Sequence, residues 1–146
     1  MNDKTSCTFI CSKFSLDGIY PPLILGINAK RLGMESTVFF TFMGIQAILK
    51  EKIKKVRFYP PGFIGAIPGM SLFATLMMKR MMDKAGIPSP EELLEMAQLE
   101  GVNLVACRMT VDMMGLKEED FIDGVIIKTA EEYLKVASQC QINMFV

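Results

Sequence analysis

Residues Val102 to Gly115 read V-N-L-V-A-C-R-M-T-V-D-M-M-G, an apolar run that passes through a cysteine into a short mixed segment and stops at a glycine. Val102 to Ala106 has the length and β-branched content of a buried strand. The residues from about Thr110 to Met114 suit a short helix that Gly115 closes. A strand turning directly into a helix is the repeating unit of an α/β sheet. It also sets Cys107 at a helix start, where unpaired backbone N–H groups and the helix dipole favour a thiolate. Cys107 is therefore the leading candidate for chemistry.

The flanking segments repeat this alternation. Upstream, Ser89-Pro90-Glu91-Glu92 is a capping box with proline at the first helical position, opening a helix to Glu100 that Gly101 ends. Downstream, Lys117 to Asp120 is a charged helical turn and Gly124 to Ile127 a fourth strand. Thr129-Ala130-Glu131-Glu132 opens another helix to about Ser138, and Ile142 to Val146 is a fifth, edge strand.

Towards the amino terminus, Thr8 to Cys11 and their neighbours read as the first strand, with Cys11 at its carboxyl end. Cys7 and Cys11 would be about 13 Å apart along it, too far for a disulfide. Tyr20-Pro21-Pro22 suits the first turn of a helix running to Leu32, whose half Leu23 to Ile27 is apolar nearly all round. Glu35 to Phe42 is a second strand, and Ile45, Ile48, Leu49, Ile53 and Val56 repeat at helical spacing. The whole, residues 1–146, predicts a single α/β domain with a mostly parallel sheet of about five strands covered on both faces. In such sheets ligands bind beyond the carboxyl ends of the strands. Cys11-Ser12-Lys13, Thr41-Phe42 and Cys107-Arg108 all fall on that edge.

Composition narrows the function. The chain has 146 residues with sixteen basic and sixteen acidic side chains, so no net field draws in nucleic acid. There is no histidine, which removes imidazole bases, histidine metal ligands and Cys-His pairs. The four cysteines, at 7, 11, 107 and 140, contain no C-x-x-C pair, and no glycine-rich nucleotide motif occurs. No cofactor or metal is expected. The start, M-N-D-K-T-S-C-T, lacks an apolar signal core and reads as cytoplasmic with reduced thiols.

Tyr59 to Met78 is twenty residues without a charge. Three prolines and three glycines between Pro60 and Gly69 rule out one continuous membrane helix. The stretch predicts an apolar flap at about 59–70 followed by a helix from Ser71 to Ala85. A flap of this kind is buried against its own domain or a second subunit; the alternative is peripheral docking on a membrane or partner. Nine of the thirteen methionines lie between Met70 and Met114, a soft surface that reads as core, binding face or pocket lining.

Several stretches together resemble a known family. A-C-R-M-T-V-D-M-M-G at 106 to 115, S-K-F-S-L-D-G-I-Y-P-P-L-I-L-G from Ser12, F-F-T-F-M-G at 39 to 44 and P-G-M at 68 to 70 are similar to the DsrE/DsrF-like sulfur-relay proteins. The nearest branch is one labelled peroxiredoxin-like. That label does not describe the chemistry, since a peroxidatic thiol is expected after a threonine- and proline-containing loop absent here. The resemblance implies a three-layer α/β/α fold, homo-oligomers, and a strand-end cysteine that carries sulfur as a persulfide or thiosulfonate. It maps that cysteine to Cys107 and leaves Cys7, Cys11 and Cys140 outside the motif. It implies TusA-like or rhodanese-like proteins, small sulfur oxyanions and polysulfide as partners.

Three functions follow as candidates. In a sulfur carrier or sulfurtransferase-like protein, Cys107 holds sulfane sulfur. Arg108 and Lys13 are then expected to lower its pKa, Thr110 to donate a hydrogen bond, and the flap to exclude water. In a thiol redox protein, Cys107 pairs with Cys11. In a non-catalytic oligomeric module, the flap and methionine helix dock a partner. Arg108 and Asp112 read equally well as surface support for the helix.

Overall fold

The computed structural model describes residues 4–146. Met1 to Asp3, part of the stretch read for a signal core, lie outside the described residues. Five strands, β1 (Ser6–Cys11), β2 (Glu35–Phe40), β3 (Asn103–Cys107), β4 (Ile126–Lys128) and β5 (Ile142–Phe145), form one sheet in the order β4-β3-β2-β1-β5. Every pairing is parallel. The expected α/β fold with a parallel five-stranded sheet is thus present.

The helices are α1 (Leu16–Arg31), α2 (Met70–Lys84), α3 (Pro90–Leu99), α4 (Arg108–Met113) and α5 (Ala130–Ala137). Their placement follows from handedness. Right-handed crossovers stepping β1 to β2 to β3 in one direction leave α1 and α3 on one face, where they pack together. The return from β4 to β5 runs the opposite way, so α5 is left on the other face. Its Tyr133 ring stacks on Phe39 of β2 at a centroid distance of 4.2 Å. Strand alternation then sorts the side chains: Cys7, Phe9, Cys11, Val38, Phe40 and Ala106 join the main core under α1 and α3, whereas Phe39, Val105 and Cys107 pack with Tyr133.

Both predicted capping boxes form. Ser89 Oγ accepts from the Glu92 N–H while Glu92 accepts from the Ser89 N–H at 2.8 Å, and Thr129 and Glu132 do the same. Pro21 and Pro22 do not open α1, however; they sit in its second turn, because Ser15 is the N-cap. A proline there cannot donate to the carbonyl four residues back. The Gly18 carbonyl, left without the Pro22 donor, accepts the Cys11 thiol at 3.7 Å instead.

The expected helix over Ile45 to Val56 is absent. The segment makes two tight 3₁₀ stretches, Phe42–Ile48 and Ile53–Lys55, broken by Glu51 at a φ of 64°. Tertiary bonds hold it open: Leu49 bridges Phe121, the Lys50 N–H donates to the Asp120 carbonyl and the Ile122 N–H to that of Ile48.

The flap forms a short 3₁₀ turn at Gly62–Ala66 and runs into α2. It is not buried against the rest of the chain: Phe63 is 80% exposed, and Leu72, Phe73, Leu76, Met77 and Met81 of α2 are exposed as well. The inner side of α2 is anchored by Thr75, whose hydroxyl oxygen accepts the Phe58 N–H at 2.8 Å. Among the described residues no helix is long and apolar enough to cross a membrane.

Candidate functional site

Cys107 is the last residue of β3 and the N-cap of α4, so the strand-to-helix turn expected from sequence is where the thiol sits. It is 5% exposed, with Phe39, Val105 and Tyr133 as its apolar neighbours. Burial alone would push this thiol up. It is outweighed by the Thr110 N–H, the Thr41 hydroxyl, the Thr110 hydroxyl and the Met109 N–H, and the pKa is held below its ordinary value. These groups donate to the sulfur and so favour its charged form. α4 has only six residues, so its first-turn N–H groups matter more here than a long-range dipole.

The donors are themselves fixed. The Thr110 side chain is fully buried, and its oxygen accepts the Phe42 N–H at 3.0 Å. That leaves its own proton to donate towards the sulfur or to Thr41 Oγ1, 3.4 Å away. Phe42 reaches this position with a φ of 46°, a left-handed conformation that costs a phenylalanine about 1–2 kcal/mol. The segment is tied down further by the Thr41 N–H, which donates to the Cys11 carbonyl, and by Gly44. A Cβ on Gly44 would lie 2.2 Å from that same carbonyl oxygen, so only glycine fits. The ends of β1, β2 and β3 are thereby locked around one sulfur.

The other expected site residues divide. Thr110 lies beside the Cys107 sulfur. Arg108 opens α4 but reaches Asp112 at 3.9 Å on the exposed side, and the groups that lower the thiol pKa are neutral donors, not this cation. Lys13 lies in a cleft with Lys52, Lys55 and Tyr59 whose lining does not include Cys107. Cys11 is separated from Cys107 by β2, a gap of about 10 Å between strands, and it faces α1 while Cys107 faces α5. A disulfide requires Cα atoms within about 7 Å, so the structure does not bring this pair together. Cys11 is fully buried, and burial pushes its thiol up to about 11, against a weaker opposing bond from the Lys13 backbone. The flap does not cover Cys107 either; Tyr133 of α5 does.

Sequence reasoning missed two neighbours. Thr41 marked the sheet edge but was not recognised as a donor, because only the register Phe40–Ala106 sets it beside Thr110. Lys128 is the ladder partner of Cys107, on the same face of β4 about one strand spacing away. Strand order alone decides that adjacency.

The model of the DsrE/DsrF/DrsH-like family matches residues 1–145. The chain belongs to that family. Among its DsrE/DsrF/DrsH-like relatives is the sulfur carrier protein DsrE2 of Allochromatium vinosum, 36% identical over 160 aligned positions that cover 99% of each chain. The uncharacterized protein YrkE of Bacillus subtilis is 32% identical and is covered in full by a match to the whole chain. The fold is also that of the Escherichia coli ychN protein, with a TM-score of 0.65 at 14% identity over 97% of this chain and 99% of that one. MTH1491 of Methanobacterium thermoautotrophicum, a protein of unknown function, gives 0.55 at 11% identity with the same coverage. Membership supports a general role in sulfur relay for this DsrE/DsrF/DrsH-like chain.

Proposed function

We propose that the protein is a sulfur carrier that holds sulfane sulfur or a thiosulfonate on Cys107 and passes it to an acceptor thiol. The observation that carries this reading is the set of four donors, from Thr110, Thr41 and Met109, that holds the Cys107 thiol down despite burial. A buried inert cysteine has its pKa raised, as Cys11 does.

The chemistry needs no imidazole. The Cys107 thiolate attacks the outer sulfur of a donor persulfide, the donor S–S bond breaks, and the donor leaves as a thiolate. With tetrathionate the central S–S bond breaks, thiosulfate leaves, and Cys107 carries the thiosulfonate. An acceptor thiolate then attacks the sulfane sulfur bonded to Cys107 Sγ, that S–S bond breaks, and Cys107 is returned as the thiolate, itself unchanged over the cycle. The Thr110 and Thr41 donors that favour the thiolate also suit the negative charge of the adduct and of the leaving sulfur. Burial keeps the loaded sulfur away from stray thiols.

TusA-like or rhodanese-like proteins are the proposed donors and acceptors, in a cytoplasmic setting. The exposed apolar side of the flap and α2 is available for contact with such proteins, with further copies of this chain or with a membrane surface. We read residues 1–146 as one domain.

A transfer assay tests this. Wild-type protein loaded with radiolabelled sulfane sulfur should pass the label to an acceptor thiol protein, and Cys107→Ser should neither load nor transfer. Transfer that persists in Cys107→Ser would overturn the proposal.

A further inference from the structure

A recess opens on the carboxyl edge of the sheet, beyond the end of β1. Ser12, Lys13, Met43, Lys52, Lys55 and Tyr59 are among the residues that surround a cleft of about 590 Å³. Its lining includes three lysines and no carboxylate. None of these lysines is in an ion pair among the described residues. Other recesses of the surface carry carboxylates: one sets Lys54 and Lys79 against Asp83 and Glu91, another Lys50 and Arg108 against Glu118, Glu119 and Asp123, and a third is lined by Asp83, Glu92 and Glu95 without a cation. In a chain of zero net charge, clustered cations repel one another, and an anion seated among them relieves that repulsion.

The cleft is built for more than a bare ion. Lys52 and Lys55 are held by a turn in which the Lys55 N–H donates to the Lys52 carbonyl, anchored by the buried Ile53. Lys13 joins the lining from the loop that follows β1. The Ser15 hydroxyl also lines the cleft and makes no bond to its own helix, which leaves it free to donate to a ligand. The volume lies within the range of small-molecule sites and exceeds what one tetrahedral anion fills.

We propose that this cleft binds an elongated multivalent oxyanion, with two or more tetrahedral anionic groups along a short chain. A linear polyphosphate and a linear polythionate-type sulfur anion share this chemistry. The site does not rest on the Cys107 reading, because Cys107 is not part of its walls.

Isothermal titration calorimetry at low salt tests it, with tripolyphosphate in one arm and the redox-inert propane disulfonate in the other. The expected result is saturable binding in at least one arm, weakened as salt is raised. The Lys52→Gln/Lys55→Gln variant should lose tenfold or more in affinity, whereas Cys107→Ser and Lys54→Gln should bind as wild type does. The tighter arm identifies the phosphate or the sulfur anion. Melting temperature checks that the variants fold, and all three exchanged lysines are exposed. No saturable binding in either arm, unchanged binding in the double variant, or an equal loss in Lys54→Gln would overturn the proposal.

Discussion

Replacing Thr110 by valine isolates the hydroxyl that links the 41–44 segment to the sulfur. Valine keeps the volume of a fully buried side chain, so the core around α4 is not opened. Two interactions are lost. The Phe42 N–H loses its acceptor at 3.0 Å, and an unsatisfied buried donor costs about 1–3 kcal/mol. At about 2–4 °C per kcal/mol for a chain near this size, the melting temperature should fall by roughly 2–12 °C. The second loss is at the sulfur. A hydrogen bond to a charged acceptor contributes about 1.5–3 kcal/mol, and each 1.36 kcal/mol is tenfold in the ionised fraction. The thiolate population at neutral pH should therefore fall about ten- to hundredfold. A more basic thiolate is also more nucleophilic, with a Brønsted coefficient of about 0.4–0.5, which recovers roughly half of that on a logarithmic scale. The net expectation is a three- to tenfold slower iodoacetamide alkylation of Cys107, with the rate profile moved to higher pH. Thr110→Ser keeps the hydroxyl and should stay within about twofold of wild type. If Thr110→Val alkylates at the wild-type rate over the whole pH range, the hydroxyl does not stabilise the thiolate and the account of the site is wrong.

Three further outcomes are expected. Gly44→Ala should destabilise by about 1–3 kcal/mol in urea denaturation, because its Cβ meets the Cys11 carbonyl oxygen at 2.2 Å, and should slow Cys107 alkylation by displacing Thr41 and Phe42. Cys11 keeps its proton in the folded state up to about 11, while an unfolded cysteine ionises nearer 8.5, so stability should fall as pH rises between those values. Cys11→Ala should flatten the pH dependence of the denaturation midpoint in that window; a slope as steep as wild type would contradict the assignment. Ser89→Ala should cost about 1 kcal/mol through loss of the capping box while leaving Cys107 alkylation unchanged, measured by melting and by thiol labelling.

The alternation of strands and helices and the turn at Cys107 were legible because each is signalled within a few residues. The capping boxes at Ser89 and Thr129 and the glycines at 101 and 115 state their meaning locally. The stretch from Ile45 to Val56 was not, since apolar residues spaced three and four apart also fit successive 3₁₀ turns. What decides between them is Leu49 against Phe121 and Lys50 against Asp120, contacts some seventy residues away in sequence. The prolines after Tyr20 misled for a related reason: Ser15, without any side-chain cap bond, starts the helix earlier than the prolines suggest. At the site itself, Cys107 and Thr110 could be found because they share one turn. Thr41, Lys128 and the separation of Cys11 from Cys107 depend on strand order and on which face each residue takes, and the spacing of residues within a strand does not contain that order.

The most direct measurement is site-resolved mass spectrometry of the wild-type protein after exposure to polysulfide or tetrathionate. A sulfur or thiosulfonate adduct on Cys107 that dithiothreitol removes, with the buried Cys11 unmodified, is the predicted result. An unmodified protein, or adducts confined to Cys7, Cys11 or Cys140, would contradict the central claim that Cys107 carries the sulfur.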